Sequence, residues 1–210
     1  MIRNNLSILM SERGIKNSTL SAKTGISKNT ISSTAQNDGK MIQLETINKI
    51  CQVLGVTPTD FFSYIPYDID FKLSLKSVTT RFSVNDVHEI DKIFLETVDL
   101  DLLLVVERAG TQINEFLFKT IKFSDGNIFT TNIFIDLATE DSSLHEFWKN
   151  IPTAFRSDIT SNISKTVRGE LRDAIIDEIQ ENQASHVDDL ITLIENLEIE
   201  VTVSQLGLPF

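Results

Sequence analysis

The chain has one cysteine, Cys51, one tryptophan and three histidines in 210 residues. A single thiol can neither close an internal disulfide nor build a cysteine-rich metal site. His88-Glu89 and His145-Glu146 each lack the second histidine that a helical zinc-peptidase motif requires, and His186 stands alone in a helix-like start. Glycine is sparse, with eight residues and no phosphate-cradling run; Ser124-Asp125-Gly126-Asn127 reads as a hairpin turn. No apolar run is long enough to span a bilayer, and Arg3-Asn4-Asn5 leads into an amphipathic segment rather than a secretory signal. No repeat or low-complexity tract is present. The expectation is a cytoplasmic, non-enzymatic protein with no cofactor, no metal and no membrane partner.

Positive charge is also scarce: 19 Lys and Arg face 30 Asp and Glu, for a net −11. A uniformly acidic chain is a poor nucleic-acid ligand. The charge is not uniform, however. Up to Pro66 there are seven cationic side chains (Arg3, Arg13, Lys16, Lys23, Lys28, Lys40, Lys49) and four acidic ones (Glu12, Asp38, Glu45, Asp60), a surplus of three. The rest of the chain therefore carries about −14.

Within the basic third, Asn17–Ala35 reads as two short helices around a tight turn. Ser18 is a candidate N-cap, and Leu20 and the small Ser21 form the inward side of the first helix. Gly25 ends that helix, because glycine accepts the left-handed conformation after a helix terminus. Ile26 plugs the turn. Ser27 caps a second helix over Lys28–Ala35, with Ile31 and Thr34/Ala35 inward by helical spacing. Lys28, Asn29, Ser32 and Ser33 face outward, and all can donate hydrogen bonds. Flanking helices are predicted over Ile2–Arg13, with Leu6, Leu9 and Met10 inward, and over the stripe Ile47, Ile50, Cys51, Leu54 that ends at Gly55. Thr57-Pro58 opens another, and Phe61 and Phe62 close the core.

These blocks resemble the Cro/CI-type (XRE) helix-turn-helix domain of phage repressors and bacterial regulators. The resemblance is carried by Leu20-Ser21, Lys23-Thr24-Gly25-Ile26-Ser27, Thr30-Ile31-Ser32, Gly39-Lys40 and the tail from Ile47 to Phe62, roughly the first third of the chain. Ser21 stands where the family usually has alanine, and Asn17 where glutamine is common. The resemblance implies an all-α, five-helix, lambda-repressor-like domain over residues 1–65. It further implies that the second motif helix enters the major groove. By position, Lys28, Asn29, Ser32 and Ser33 are then base-edge candidates, and Asn17, Ser18, Gln36, Asn37 and Lys40 phosphate candidates. A small positive surplus implies few phosphate contacts per copy, which a homodimer on a palindromic site of double-stranded DNA would double. Many phage repressors end in a self-cleaving serine–lysine domain. Here Ala109-Gly110 is followed by Thr111-Gln112, with no recognisable nucleophile segment.

Residues 66–70 read as a linker around Pro66, and 71–210 as an α+β domain with helices on one side of an antiparallel sheet. Strands are predicted at Phe71–Leu75, Asp99–Arg108, Gln112–Phe123, Asn127–Leu137 and Glu198–Val203, and a helix at Val84–Leu95 with Val87, Ile90, Ile93 and Phe94 inward. Leu144, Phe147, Trp148 and Ile151 form a helical stripe, as do Val187, Leu190, Ile191, Ile194 and Leu197. A longer one runs Ile159, Ile163, Val167, Leu171, Ile175, Ile179, and is either a core face or a dimer surface.

The function that follows from the resemblance is a sequence-specific transcriptional regulator, a dimeric repressor whose second domain oligomerises and receives an antirepressor, peptide or small-molecule effector. Two alternatives stand beside it. One is an antitoxin or adaptor whose second domain sequesters a protein. The other is a remnant of a ligand-sensing enzyme.

Overall fold

The computed structural model describes all residues except 39–40, 85–89, 125, 129–131, 182–190, 192–193, 205 and 207–210, with backbone alone at 82, 84, 90 and 91. The chain divides into two compact units, Met1–Asp68 and Ile69–Phe210, called here the head and the body.

The head holds strand β1 (Ile2–Asn4), helices α1 (Leu6–Glu12), α2 (Asn17–Thr24), α3 (Lys28–Ala35), α4 (Leu44–Leu54) and α5 (Pro58–Phe61), and strand β2 (Phe62–Tyr64). Leu6, Leu20, Ile31, Ile50 and Phe61 are fully buried in one core, with Cys51 at its margin. Local chemistry sets the helix ends. Gly55 is left-handed at the end of α4. Thr57 and Asp60 form a reciprocal capping box on α5, with Pro58 at its first position.

The head is not all-α. Ile2–Asn4 belongs to a strand rather than to the first helix, and pairs antiparallel with Phe62–Tyr64. Asn4 interrupts any earlier helical start, because its side-chain oxygen accepts from the backbone N–H of Leu6 at 3.0 Å. Instead of five full helices there are four and the single turn α5, since Phe62 leaves that turn in an extended conformation to enter β2.

The body contains β3 (Asp68–Val84), β4 (Ile90–Arg108), β5 (Thr111–Phe123), β6 (Ile133–Ala138), α6 (Ser143–Lys149), α7 (Thr153–Glu181) and β7 (Ile199–Val203). β3 begins inside the stretch read as a linker. The sheet order is β3-β4-β5-β6-β7. It is mixed, not purely antiparallel: β4–β5 and β5–β6 are antiparallel, whereas β6–β7 is parallel. The connection from β6 to β7 passes through α6 and α7, and a crossover of that length is what a parallel return requires.

Ile90–Leu95 is strand, not helix. Residues 85–89 of the expected helix, Val87 among them, lie outside the described residues. The apolar positions Ile90, Ile93 and Phe94 suit a helix period. The buried residues Ile93 and Leu95, and then Val98, Leu100, Leu102, Leu104 and Val106, instead recur every second residue as in a strand, with the phase slipping by one residue between Leu95 and Val98. The last hairpin strand is shorter than Asn127–Leu137: Asn127 makes an isolated bridge with Phe94, and β6 starts at Ile133. Phe129 and Thr131 are outside the described residues, as are Val187 and Leu190, while Ile194 is buried.

One face of the sheet is covered. Phe116 and Phe118 of β5, Ile133, Ile135 and Leu137 of β6 and Val201 of β7 are buried. Trp148 of α6 is buried too, and its indole N–H donates to the carbonyl of Leu206 at 2.6 Å. The long stripe on α7 lies in this core, with Ile163, Val167, Leu171, Ile175 and Ile179 fully buried within the single chain. That resolves its two readings in favour of a core face.

Candidate nucleic-acid interface

The turn between α2 and α3 is built from short-range hydrogen bonds. Gly25 adopts φ +73°, and its N–H reaches the carbonyl of Ser21 at 2.9 Å. The Ser21 hydroxyl donates to the Ile26 carbonyl at 2.6 Å, and the Thr24 hydroxyl to the Leu20 carbonyl at 2.7 Å. Ser21 thus keeps the small size that close helix packing needs and adds a bond across the turn. Ile26 is half-buried under it. Ser27 caps α3, its hydroxyl oxygen accepting from the N–H of Thr30 at 3.1 Å. Ser18 is not a cap: Lys16 holds the N-cap position of α2 in an extended conformation, and Ser18 is the second residue inside the helix. Asn17 and Ser18 are exposed at that helix start.

The far end of α3 closes on Asn37. The N–H of Asp38 bonds the Ser33 carbonyl at 3.2 Å and that of Asn37 the Thr34 carbonyl at 3.0 Å, the paired pattern of a Schellman end. Asn37 has φ +57° at the left-handed position, a conformation asparagine tolerates better than most residues. Its side-chain oxygen accepts from the Asn4 N–H at 2.8 Å and from the Asn4 side-chain amide at 2.7 Å, and its own amide donates to the Asn4 carbonyl at 3.2 Å. Asn4 also donates to the Thr34 carbonyl at 2.7 Å. Asn37, read from sequence as a phosphate candidate, is committed to holding the end of α3 against β1.

Between these two anchors α3 presents an exposed polar face. Asn29 and Ser33, one turn apart, lie opposite the buried Ile31, because two helical steps turn a side chain by about 200°. Lys28 is exposed in the first turn, and Ser32 is half-buried at one flank. Thr30 is exposed at the other flank, a position the sequence reading left out. Ser33 donates to the Thr30 carbonyl at 3.1 Å, which leaves its oxygen lone pairs to accept. Gln36 is exposed at the C-cap, and Lys40 lies outside the described residues.

The cations of the head are unevenly employed. Arg3 is buried and donates to the Asn5 side chain at 3.0 Å. Arg13 donates to the carbonyls of Leu54 and Leu9 and pairs with Glu12. Lys49 pairs with Glu45 at 2.6 Å, which holds that carboxyl below its usual range. Lys16, Lys23 and Lys28 are exposed and make no ion pair among the described residues. They sit at the cap of α2, in its last turn and in the first turn of α3, so among the described residues of the head the unpaired lysines are gathered on the motif. The signal for Lys16 and Lys23 was present in the sequence as their spacing around Asn17–Ala35.

Capped at one end by Ser27 and tied at the other by Asn37, this eight-residue helix offers Lys28, Asn29 and Ser33 outward, with Lys16 and Lys23 as two further cations that make no ion pair among the described residues. Residues 5–67 match the family model of the Cro/C1-type HTH DNA-binding domain. The match spans less than a third of the 210 residues and lies within the head. The head is thus a Cro/C1-type domain, and the match does not extend into the body. None of the curated proteins matches the chain. No helix among the described residues is long and apolar enough to cross a membrane.

Proposed function

We propose that this protein is a cytoplasmic, sequence-specific transcriptional repressor that binds a pseudo-palindromic operator as a homodimer. The observation that carries the reading is the exposed row Lys28, Asn29, Ser33 on a short, doubly anchored helix within a Cro/C1-type DNA-binding domain. Lysine donates to guanine acceptors and asparagine pairs with the adenine edge in the major groove, while the Ser33 hydroxyl, whose proton goes to the Thr30 carbonyl, accepts from a base donor. Ser32 extends the row toward the flank. Lys16, Lys23, Asn17, Ser18 and Gln36 contact phosphates, and these contacts fix register rather than sequence. With so few cations per copy, two heads on half-sites about 34 Å apart supply the affinity that one lacks. The acidic body is repelled by the duplex and stays off it. It has a non-catalytic role in oligomerisation and in receiving an antirepressor, peptide or small-molecule effector.

A mobility-shift assay on the DNA upstream of its own gene tests the reading. A specific shift at modest salt, lost on scrambling either half of the palindrome, is expected. Equal retardation of specific and scrambled DNA would overturn it.

A further inference from the structure

The second face of the body's sheet is exposed along β5. Along β5 the outward residues read Glu115, Leu117 and Lys119, with Ile113 and Ile121 exposed at the two ends of the row, where the pairing with β4 and with β6 each skips one residue. The three apolar ones are 45%, 43% and 60% exposed, and both charged ones are exposed. Leu103 of β4, the cross-strand neighbour of Leu117, lies beside them on this face and lines the same shallow cleft as Leu117 and Ile121.

This row has a symmetry that an ordinary solvated face does not need. Reversed about Leu117 it keeps its apolar pattern and exchanges its charges. Glu115 and Lys119 cannot pair with each other, since four residues along a strand span about 13 Å. Among the described residues Glu115 accepts only from the neutral side-chain amide of Gln112, and Lys119 has no ion pair.

From this we propose that the open face of the sheet is a self-association surface, and that its occupant is a second copy of the chain related by a two-fold axis at Leu117. The proposal rests on the dimeric reading above and names its surface. The axis lies in the interface and runs across the strands, so the two β5 strands stack face to face in opposite directions. Leu117 meets Leu117 of the copy and Leu103 meets Leu103. Ile113 meets Ile121, and each Glu115 faces a Lys119 at both ends. A parallel stacking would place like charges opposite each other, so the charges select the antiparallel one. Such an interface is isologous and closes as a dimer, leaving no free copy of the face to propagate.

Sedimentation of the full chain at a few tens of micromolar tests the proposal. The parent is expected at twice 23.7 kDa. E115K places two ammonium groups opposite each other, and K119E two carboxylates. Each variant alone is expected to weaken dimerisation by at least about tenfold. An equimolar mixture of the two restores opposite charges at both ends, and the dimer should return. Mixing cannot rescue misfolded chains, so the recovery separates a charge effect from a folding defect. L117E should give a monomer that cannot be rescued by either. A dimeric parent whose E115K and K119E variants sediment unchanged would overturn the face and leave the dimeric reading standing. A mixture that stays monomeric would overturn the face as well. A parent at 23.7 kDa throughout overturns the face, and one copy per operator in the DNA complex would then overturn the dimeric reading too.

Discussion

Asn4 and Asn37, 33 residues apart, complete each other's hydrogen bonds: the Asn37 side chain bonds both the N–H and the carbonyl of Asn4, and the Asn4 amide returns a bond to the Asn37 oxygen. The pair ties the first strand to the end of the reading helix, so the orientation of α3 depends on a residue outside the helix-turn-helix. Asn37→Ala loses these bonds and puts a Cβ-bearing residue without a polar side chain at φ +57°. A loss of about 2–4 kcal/mol is expected, from buried partners left unsatisfied together with left-handed strain. Asn37→Gly removes only the first part and should cost less. Urea unfolding of both variants checks the order. Equal stability of the two would show that the side-chain bonds matter more than the backbone conformation.

The motif cations and the reading row should separate in their effects on DNA binding. Lys28→Ala and Asn29→Ala are expected to weaken specific binding by about 1–3 kcal/mol each and to relax preference at one base position. Lys16→Ala and Lys23→Ala should weaken binding to all sequences alike, and each should lower the slope of log affinity against log salt by about one. Filter binding across a salt series with specific and scrambled duplexes distinguishes the two pairs. Unchanged salt slopes for both lysine variants would remove them from the phosphate contacts.

What was legible in the sequence follows the range of the forces involved. The bounds of α3 were readable, because Ser27, Gly25 and the inward Ile31 act within one or two turns. Strand β1 was not: its partner Tyr64 is 62 positions from Ile2, and nothing local marks three residues as a strand. Ile90–Leu95 carried apolar residues at positions that satisfy both periods, and only pairing within the sheet chose between them. The parallel β6–β7 pair is likewise a product of where the helices α6 and α7 return the chain. At the site, the outward face of α3 was visible from spacing. The structural duty of Asn37 was hidden, since a polar residue just past a helix end looks the same whether it faces phosphate or another asparagine.

Acid should loosen the head in a defined direction. Asp60 accepts from the Thr57 hydroxyl at 2.7 Å and from its N–H at 2.9 Å, and these bonds hold its carboxyl below the ordinary value. A carboxyl lowered on folding stabilises the fold above the unfolded pKa of about 3.9, and that contribution disappears as pH falls through the lower folded value. Asp141, held down by the Ser143 hydroxyl and N–H, has the same sign in the body. Asp60→Asn should therefore flatten the fall in stability below about pH 5 without changing the curve near pH 7 by more than the loss of the cap itself. The test is a set of urea midpoints from pH 3 to 7, followed by amide signals of Thr57 and Phe61. An acid limb as steep in the variant as in the parent would rule out this carboxylate as a contributor.

The α7 stripe gives the converse of the charge-swap experiment. Leu171 is fully buried within one chain, in line with Val167 and Ile175, so its side chain belongs to the core of each copy. Leu171→Ala removes buried methyl groups and leaves a cavity in a close-packed layer, for an expected cost of about 2–5 kcal/mol. Because Trp148 lies in the same unit, its fluorescence should report the unfolding at the lowered midpoint. The folded variant should keep the parent's sedimentation and its DNA affinity under conditions where the body remains native. A variant with parental stability but a changed mass would mean that the stripe faces a second chain rather than the sheet. It would reverse the assignment of the two faces of the body.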